Sequence, residues 1–184
     1  RQRCAAVQLD ADRVLLAGGL KGAHQCLKTT EILHLSTHTI TAGPNMLSAR
    51  GHCAAVALDA RRILVVGGFS RLPTTEILSL DTMTFTPGPS MASGRLGCAA
   101  VALDEHRIMV AGGMDFTEAA YEHLQSTEIL ETRIMSFAPG PTMSSARSYC
   151  AAVPVDAQHV IIIGGDEAED TPLATTELLD VAML

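Results

Sequence analysis

A sixteen-residue phrase occurs four times in this chain, as CAAVQLDADRVLLAGG (Cys4 to Gly19), CAAVALDARRILVVGG (Cys53 to Gly68), CAAVALDEHRIMVAGG (Cys98 to Gly113) and CAAVPVDAQHVIIIGG (Cys150 to Gly165). The cysteines that open it are 49, 45 and 52 residues apart. Self-similarity at such a period constrains the fold more than any single motif. One structural unit is being copied, each copy must bury its apolar face against the next, and the outcome is a solenoid, a propeller or an array.

Each copy contains four short apolar runs. Run a is Cys-Ala-Ala-Val-x-Leu/Val. Run b is β-branched and ends in Gly-Gly, as in Ile63 to Val66 and Val160 to Ile163. Run c follows Thr/Ser-Thr-Glu, as in Glu31-Ile32-Leu33 and Glu76-Ile77-Leu78. Run d alternates, as in Thr39-Ile40-Thr41, Thr84-Phe85-Thr86 and Ser136-Phe137-Ala138. All are too short for helices and are bounded by turn residues, so they read as the four strands of an antiparallel meander. Runs a and b are apolar on both sides, which fits inner strands covered on both faces, whereas d fits a half-exposed outer strand.

The turns agree. Asp10, Asp59, Asp104 and Asp156 stand at the a-to-b hairpin, where a short carboxylate accepts backbone N–H groups. Pro87-Gly88-Pro89, Pro139-Gly140-Pro141 and Gly43-Pro44 stop strand d, since proline cannot donate to the ladder. The Gly-Gly pairs lack the surroundings of a phosphate-binding loop and read as a bulge or a close backbone approach.

The spacing between elements separates scaffold from variable surface. From the repeated Cys to the first Gly of the pair is 14 positions in every copy, and from the repeated Glu to the next Cys is 22. All length variation therefore falls in the b-to-c connection, which holds 9, 5, 12 and 9 residues. In such a meander the b-to-c and d-to-a connections emerge on one face, which becomes the expected recognition surface.

Composition narrows the function. A formal charge of -7 argues against general nucleic-acid binding or an anionic membrane surface. No Trp, two Tyr and four Phe leave little for base stacking. No apolar run approaches the roughly 18 residues that a membrane span needs. Four of the five cysteines are the repeated ones and read as small buried hydrophobes at spacings that match no zinc site. With no Asn-x-Ser/Thr acceptor, this points to an intracellular, cytoplasmic protein. The chain opens at Arg1, already inside the repeat, which suggests a piece of something longer.

These residues resemble the kelch repeat, a family of β-propellers with one four-stranded blade per repeat. The resemblance rests on an Arg opening strand a, Gly-Gly ending strand b, a Glu opening strand c, and a Pro/Met segment before the next Arg (Pro89-Ser90-Met91 to Arg95). It covers the whole chain four times in phase. The family's Tyr after the Glu is Leu here (Leu33, Leu78, Leu130, Leu179), and its Trp in strand d is Ile40, Phe85 or Phe137. The resemblance implies an all-β propeller of four antiparallel four-stranded blades, about residues 1–49, 50–94, 95–146 and 147–184, the last lacking its outer strand. Because family propellers commonly close with six blades, it implies either an arc of a larger propeller or a compact ring with one edge left for a partner.

Arg1, Arg50, Arg95 and Arg147 stand just before strand a. The resemblance implies a ring of guanidinium groups at the mouth of the central channel, where adaptor kelch domains hold acidic peptides through bidentate pairing. Glu31, Glu76, Glu128 and Glu177 open strand c at the same end and offer the alternative of internal ion pairs. Two residues after each arginine the chemistry varies, through Arg3, His52, Gly97 and Tyr149. The loops vary too, with Lys21, His24, Arg71, Phe116, Tyr121, Asp166 and Glu167 as candidate contacts.

An ion held by Asp166 to Asp170, by His24 with Cys26, or by the four repeated cysteines is the lesser reading of those groups. No nucleophile-and-base arrangement appears, and no cofactor or metal is implied. The expected function is a non-catalytic protein-interaction or scaffold module that binds a protein partner through the loop face, with further blades or another subunit covering the open edge. A kelch-fold enzyme such as a sugar epimerase, or a purely structural subunit, is the alternative.

Overall fold

A computed structural model describes all residues except 23–24, 70–72, 117–119, 169–170 and 183–184. The four repeats are four antiparallel sheets arranged as the blades of a four-blade β-propeller. Blade 1 is built from strands a Ala5–Gln8, b Arg13–Ala17, c Thr30–His34 and d Thr39–Ala42. Blade 2 uses Ala54–Asp59, Arg62–Val66, Thr75–Ser79 and Thr84–Pro87, and blade 3 uses Ala99–Ala102, Arg107–Ala111, Thr127–Glu131 and Ser136–Pro139. Among the described residues blade 4 has three strands, Ala151–Pro154, His159–Ile163 and Thr176–Asp180. Among the described residues no helix is long and apolar enough to cross a membrane.

The order across each sheet is a-b-c-d, and the register repeats: Ala5 faces Ala17, Ala54 faces Val66, Ala99 faces Ala111 and Ala151 faces Ile163. Strand a lies innermost, against strand a of the next blade. Strands a and b project side chains from both faces into the gaps between blades, which is why both read as apolar throughout. The core is accordingly three clusters, one per blade junction. Leu15, Ile32, Ile63, Val65 and Leu78 join blades 1 and 2. Leu64, Val66, Ile108, Val110 and Leu130 join blades 2 and 3, and Met109, Ile129, Val160, Ile162 and Leu179 join blades 3 and 4. At about 1.5–3 kcal/mol per fully buried aliphatic side chain, these junctions are the main cohesive term.

The Gly-Gly pairs are where backbones meet across a junction. Gly18, Gly67 and Gly112 have φ of +64°, +70° and +60°, and a Cβ on them would lie 2.1, 2.2 and 2.1 Å from the carbonyl oxygen of Arg50, Arg95 and Arg147, the arginine that opens the next blade. The following glycine donates its N–H to that same carbonyl, at 2.7, 2.9 and 2.7 Å for Gly19, Gly68 and Gly113. A side chain would hold the two blades apart.

The b-to-c connections are more ordered than plain loops. Leu20–Lys21 pairs with Gln25–Cys26, Met114–Phe116 with Tyr121–His123, and Asp166–Ala168 with Thr171–Pro172. Connections of 9 and 12 residues are long enough to fold back on themselves. Bridges Gln2–Leu20, Leu96–Met114 and Ser148–Asp166 tie these hairpins to the d-to-a connections and place both on one face of the disc.

On the opposite face the a-to-b aspartates close their hairpins. Asp104 Oδ1 accepts the amides of His106 and Arg107 at 2.7 and 2.8 Å while Oδ2 takes Arg107 Nε at 2.7 Å. Asp10 and Asp156 are held below the usual carboxylate range by the amides of Asp12 and Gln158 and then by Arg13 and His159. At Asp59 and Asp104 burial opposes ionisation, but the amide and arginine bonds outweigh it. A depressed folded pKa contributes stability that is complete above the unfolded value and lost as pH falls through the folded one. The contribution of these aspartates to the melting temperature is therefore expected to hold from neutrality to about pH 4, the unfolded Asp range, and to fall below it. A flat acid limb in scanning calorimetry would contradict this.

Candidate functional site on the loop face

The arginines that open the blades are inside them. Arg50 is fully buried: Nε meets Glu76 Oε1 at 3.0 Å, Nη1 donates to the carbonyls of Gly67 and Thr74 at 2.7 and 2.9 Å, and Nη2 reaches Thr74 Oγ1 at 3.2 Å. Glu76 also accepts the amides of Leu47 and Ser48, at 2.6 and 2.9 Å, in the connection from blade 1. Arg95 repeats the pattern with Glu128, Gly112 and Ser126, and Glu128 holds the amides of Ala92 and Ser93. Each pair clamps strand b, strand c and the incoming connection together.

The two outer copies are looser. Arg147 keeps its carbonyl contacts to Gly164 and Thr175, but its Nε stands 3.8 Å from Glu177 and has no hydrogen-bond partner among the described residues. Arg1 pairs with Glu31 at 2.8 Å, where Glu31 is partly exposed and held below its ordinary pKa by the Arg1 hydrogen bond. Of the two roles open to these arginines in the sequence, the observed contacts are those of internal ion pairs.

Two residues on, the picture reverses. Arg3, His52, Gly97 and Tyr149 surround the axis in the left-handed region, with φ of 55°, 57°, 68° and 56°. His52 N–H donates to Arg3 C=O at 2.9 Å, Gly97 to His52 at 2.9 Å, and Tyr149 to Gly97 at 2.7 Å, so the four positions form a staircase of backbone bonds across the junctions. Left-handed backbone in a non-glycine residue is uncommon. It recurs here at the c-to-d turns too (His38, Met83, Met135), so the conformation is a feature of the scaffold and the side chains carry the information.

Those side chains converge. His52 and Tyr149 rings are 5.4 Å apart, and the Arg3 guanidinium carbon lies 5.8 Å from the Tyr149 ring centre. Gly97 leaves room for that ring: a Cβ there would sit 2.7 Å from Tyr149 Cε1. Together with Cys4, Cys53, Cys98, Cys150 and Asp166 they line an axial pocket of about 460 Å³. Burial raises the Cys53 and Cys98 thiols to about 11 and 12, so these two are neutral and poor nucleophiles near pH 7. Among the described residues no three His, Cys, Asp or Glu side chains are grouped as metal ligands.

Burial, with Arg3 beside it, pushes the His52 imidazole down from 6.5 to about 4. Its contribution to stability is then complete above the unfolded value and lost as pH falls toward the folded one. By NMR its titration midpoint is expected near pH 4. Arg3→Ala should recover only part of the shift, since burial is the larger cause. A midpoint near 6.5 in the folded protein would show that the ring is not enclosed.

A second concavity of about 280 Å³ lies between blades 2 and 3, lined by Phe69, Leu96, Met114, Asp115, Phe116 and Tyr121 among others. The Phe116 and Tyr121 rings meet across their hairpin with centres 4.8 Å apart and planes tilted by 59°, and Phe69 lies 6.5 Å from His52, which links this groove to the axial pocket. Of the candidate contacts, Arg3, His52, Tyr149 and Asp166 meet at the axis, while Phe116 and Tyr121 meet in the groove. Lys21 and Glu167 are exposed on their hairpins and line neither. His24 and Arg71, with Glu169 and Asp170 of the acidic loop, lie outside the described residues. Phe69, Leu96 and Met114 were missed. An aromatic released directly by Gly-Gly was the available signal for the first.

No protein-family profile matches the sequence, and no curated protein does. The propeller architecture rests on the blades themselves.

Proposed function

We propose that this chain is a kelch-type propeller acting as a non-catalytic, intracellular protein-interaction module that grips a segment of a partner protein on its loop face. The observation that carries the reading is the contrast within one ring. Four equivalent backbone positions, bonded in series, present Arg, His, Gly and Tyr over a shared pocket, next to a groove walled by Phe69, Phe116 and Tyr121. A constant frame with varied chemistry at equivalent sites is what selective recognition requires, and exposed aromatics with an arginine are the residue types that dominate interface energies. The partner segment would place an apolar side chain in the groove and a carboxylate or carbonyl oxygen against Arg3. The arginine–glutamate pairs that an epimerase would recruit are consumed inside blades 2 and 3, which favours binding over catalysis.

A displayed library of random peptides, selected on the folded protein, tests this. Selected peptides should share an apolar anchor near an acceptor group. Tyr149→Ala or Phe116→Ala should weaken them at least tenfold, and Ile134→Asp, on exposed surface away from the pockets, should not. A selection that yields no enriched sequence, or peptides indifferent to both substitutions, overturns the reading.

A further inference from the structure

Aromatic side chains are scarce in this chain, four Phe and two Tyr in 184 residues, yet three of them line the groove between blades 2 and 3. Phe69 comes from blade 2, and Phe116 and Tyr121 come from the blade 3 hairpin. The scaffold does not require them. After Gly-Gly the other copies place Leu20, Met114 and Asp166 where blade 2 has Phe69, and the hairpins of blades 1 and 4 contain no Phe, Tyr or Trp. Nor do the rings fill the core, since Phe69 and Phe116 are 37% exposed and Tyr121 is 50% exposed. With planes tilted by 59° and centres 4.8 Å apart, Phe116 and Tyr121 make a corner that closes one side of the cavity.

The charge of this groove is negative. Aromatic faces carry a negative quadrupole, and Asp115 lies in the lining with its Oδ1 accepting the Phe116 N–H at 2.8 Å. Glu122 stands directly opposite Asp115 across the hairpin, an arrangement of like charges that costs stability. Neither carboxylate has an ion-pair partner among the described residues. The cation in the lining, Arg95, is turned inward onto Glu128 at 3.0 and 3.1 Å. A positive group entering the groove would therefore meet attraction from its walls. An ammonium or guanidinium would also bring three to five N–H donors. The lining is mostly apolar side chains, and its Leu96 carbonyl is already taken by the Met114 N–H at 2.7 Å, so most of those donors would be buried unmatched. A cation without donors avoids that cost.

We propose that the groove between blades 2 and 3 receives the trimethylammonium group of a methylated lysine on the partner segment. The inference rests on the interaction reading above and specifies the side chain that the groove takes. The N-methyl groups supply the apolar surface, and their spread positive charge faces the rings, the arrangement by which aromatic-lined sites hold quaternary ammonium. A group carried on a chain fits better than a free cation. The rings stay a third to a half exposed, too open to bury a small molecule, and Phe69 leads within 6.5 Å of His52 to the axial pocket, where the rest of a segment would be held.

NMR titration of the full chain with three probes tests this: acetyl-trimethyllysine methylamide, its unmodified lysine counterpart, and the uncharged isostere with a tert-butyl group in place of trimethylammonium. The trimethylated probe is expected to shift the ring signals of Phe69, Phe116 and Tyr121. It should bind about tenfold tighter than either of the other two. Phe116→Leu and Tyr121→Leu keep apolar bulk and remove a ring at partly exposed sites, and the remainder of the spectrum checks their fold. Each should lower the charged probe to the affinity of the isostere while moving the isostere less than about twofold. Asp115→Asn should weaken the charged probe about threefold and leave the isostere unchanged. Equal affinity for the charged and uncharged probes, no shift at the groove, or choline binding as tightly as the lysine probe would each overturn the proposal. In that event displayed peptides that still need Tyr149 and Phe116 would keep the interaction reading, and an empty selection would end both.

Discussion

Replacing Arg95 by alanine is expected to destabilise the protein by about 3–5 kcal/mol, the range seen when one partner of a buried ion pair is removed. Four facts set that size. Arg95 is 1% exposed, so no water replaces its bonds. Its guanidinium holds the carbonyls of Gly112 and Ser126, the Ser126 hydroxyl and Glu128, all at 2.9 to 3.1 Å. Glu128 would be left charged and buried, with only the Ala92 and Ser93 amides to satisfy it. The clamp also holds the connection that leads onto the loop face. For a chain of this size the melting temperature should fall by on the order of 10 °C.

Arg147→Ala should cost about half as much, because its Nε is already without a partner and its glutamate lies at 3.8 Å, near solvent. Removing Arg95 and Glu128 together should cost less than the sum of the single changes by more than 1 kcal/mol, the mark of direct coupling. Urea unfolding of the three variants measures all of this. If Arg95→Ala lost under 1 kcal/mol while peptide affinity collapsed, the arginines would be ligand contacts and the clamp an incidental geometry.

The scaffold was legible because repetition supplies its own controls. Four copies of the same run, each with Cys to Gly at 14 positions, fixed strands a and b and their turn without any appeal to propensity. The blade order followed from alternation and turn residues. The site was less legible for two physical reasons. Whether an arginine is a ligand or a clamp depends on whether its guanidinium turns inward onto the glutamate of strand c, a contact across 26 to 33 residues that leaves no local pattern. The groove is formed by Phe69 of one blade with Leu96, Phe116 and Tyr121 of the next, and contacts across a junction leave no local pattern. The hairpins beyond Gly-Gly were hidden for a similar reason. Their two- and three-residue strands are shorter than any periodicity can show, and they are held by pairing to the d-to-a connections.

Two glycines with the same backbone and different neighbours allow the blade junction to be weighed by itself. Gly67→Ala and Gly164→Ala both place a Cβ at φ near +65°, by the values +70° and +60°, which costs about 1–2 kcal/mol in either position. At Gly67 the new carbon would also stand 2.2 Å from Arg95 O, a backbone atom fixed by the bond from Gly68 N–H, so blades 2 and 3 must separate. Overpacking of that kind costs a further 1–3 kcal/mol or so. Gly67→Ala should be the worse by about that amount in urea unfolding. It should also blunt peptide binding, since Arg95 O and the Gly97 rung belong to one connection. Equal losses at the two glycines would mean that the carbonyl cradle is not what sets the spacing of the blades, and that side-chain packing alone holds the loop face in register.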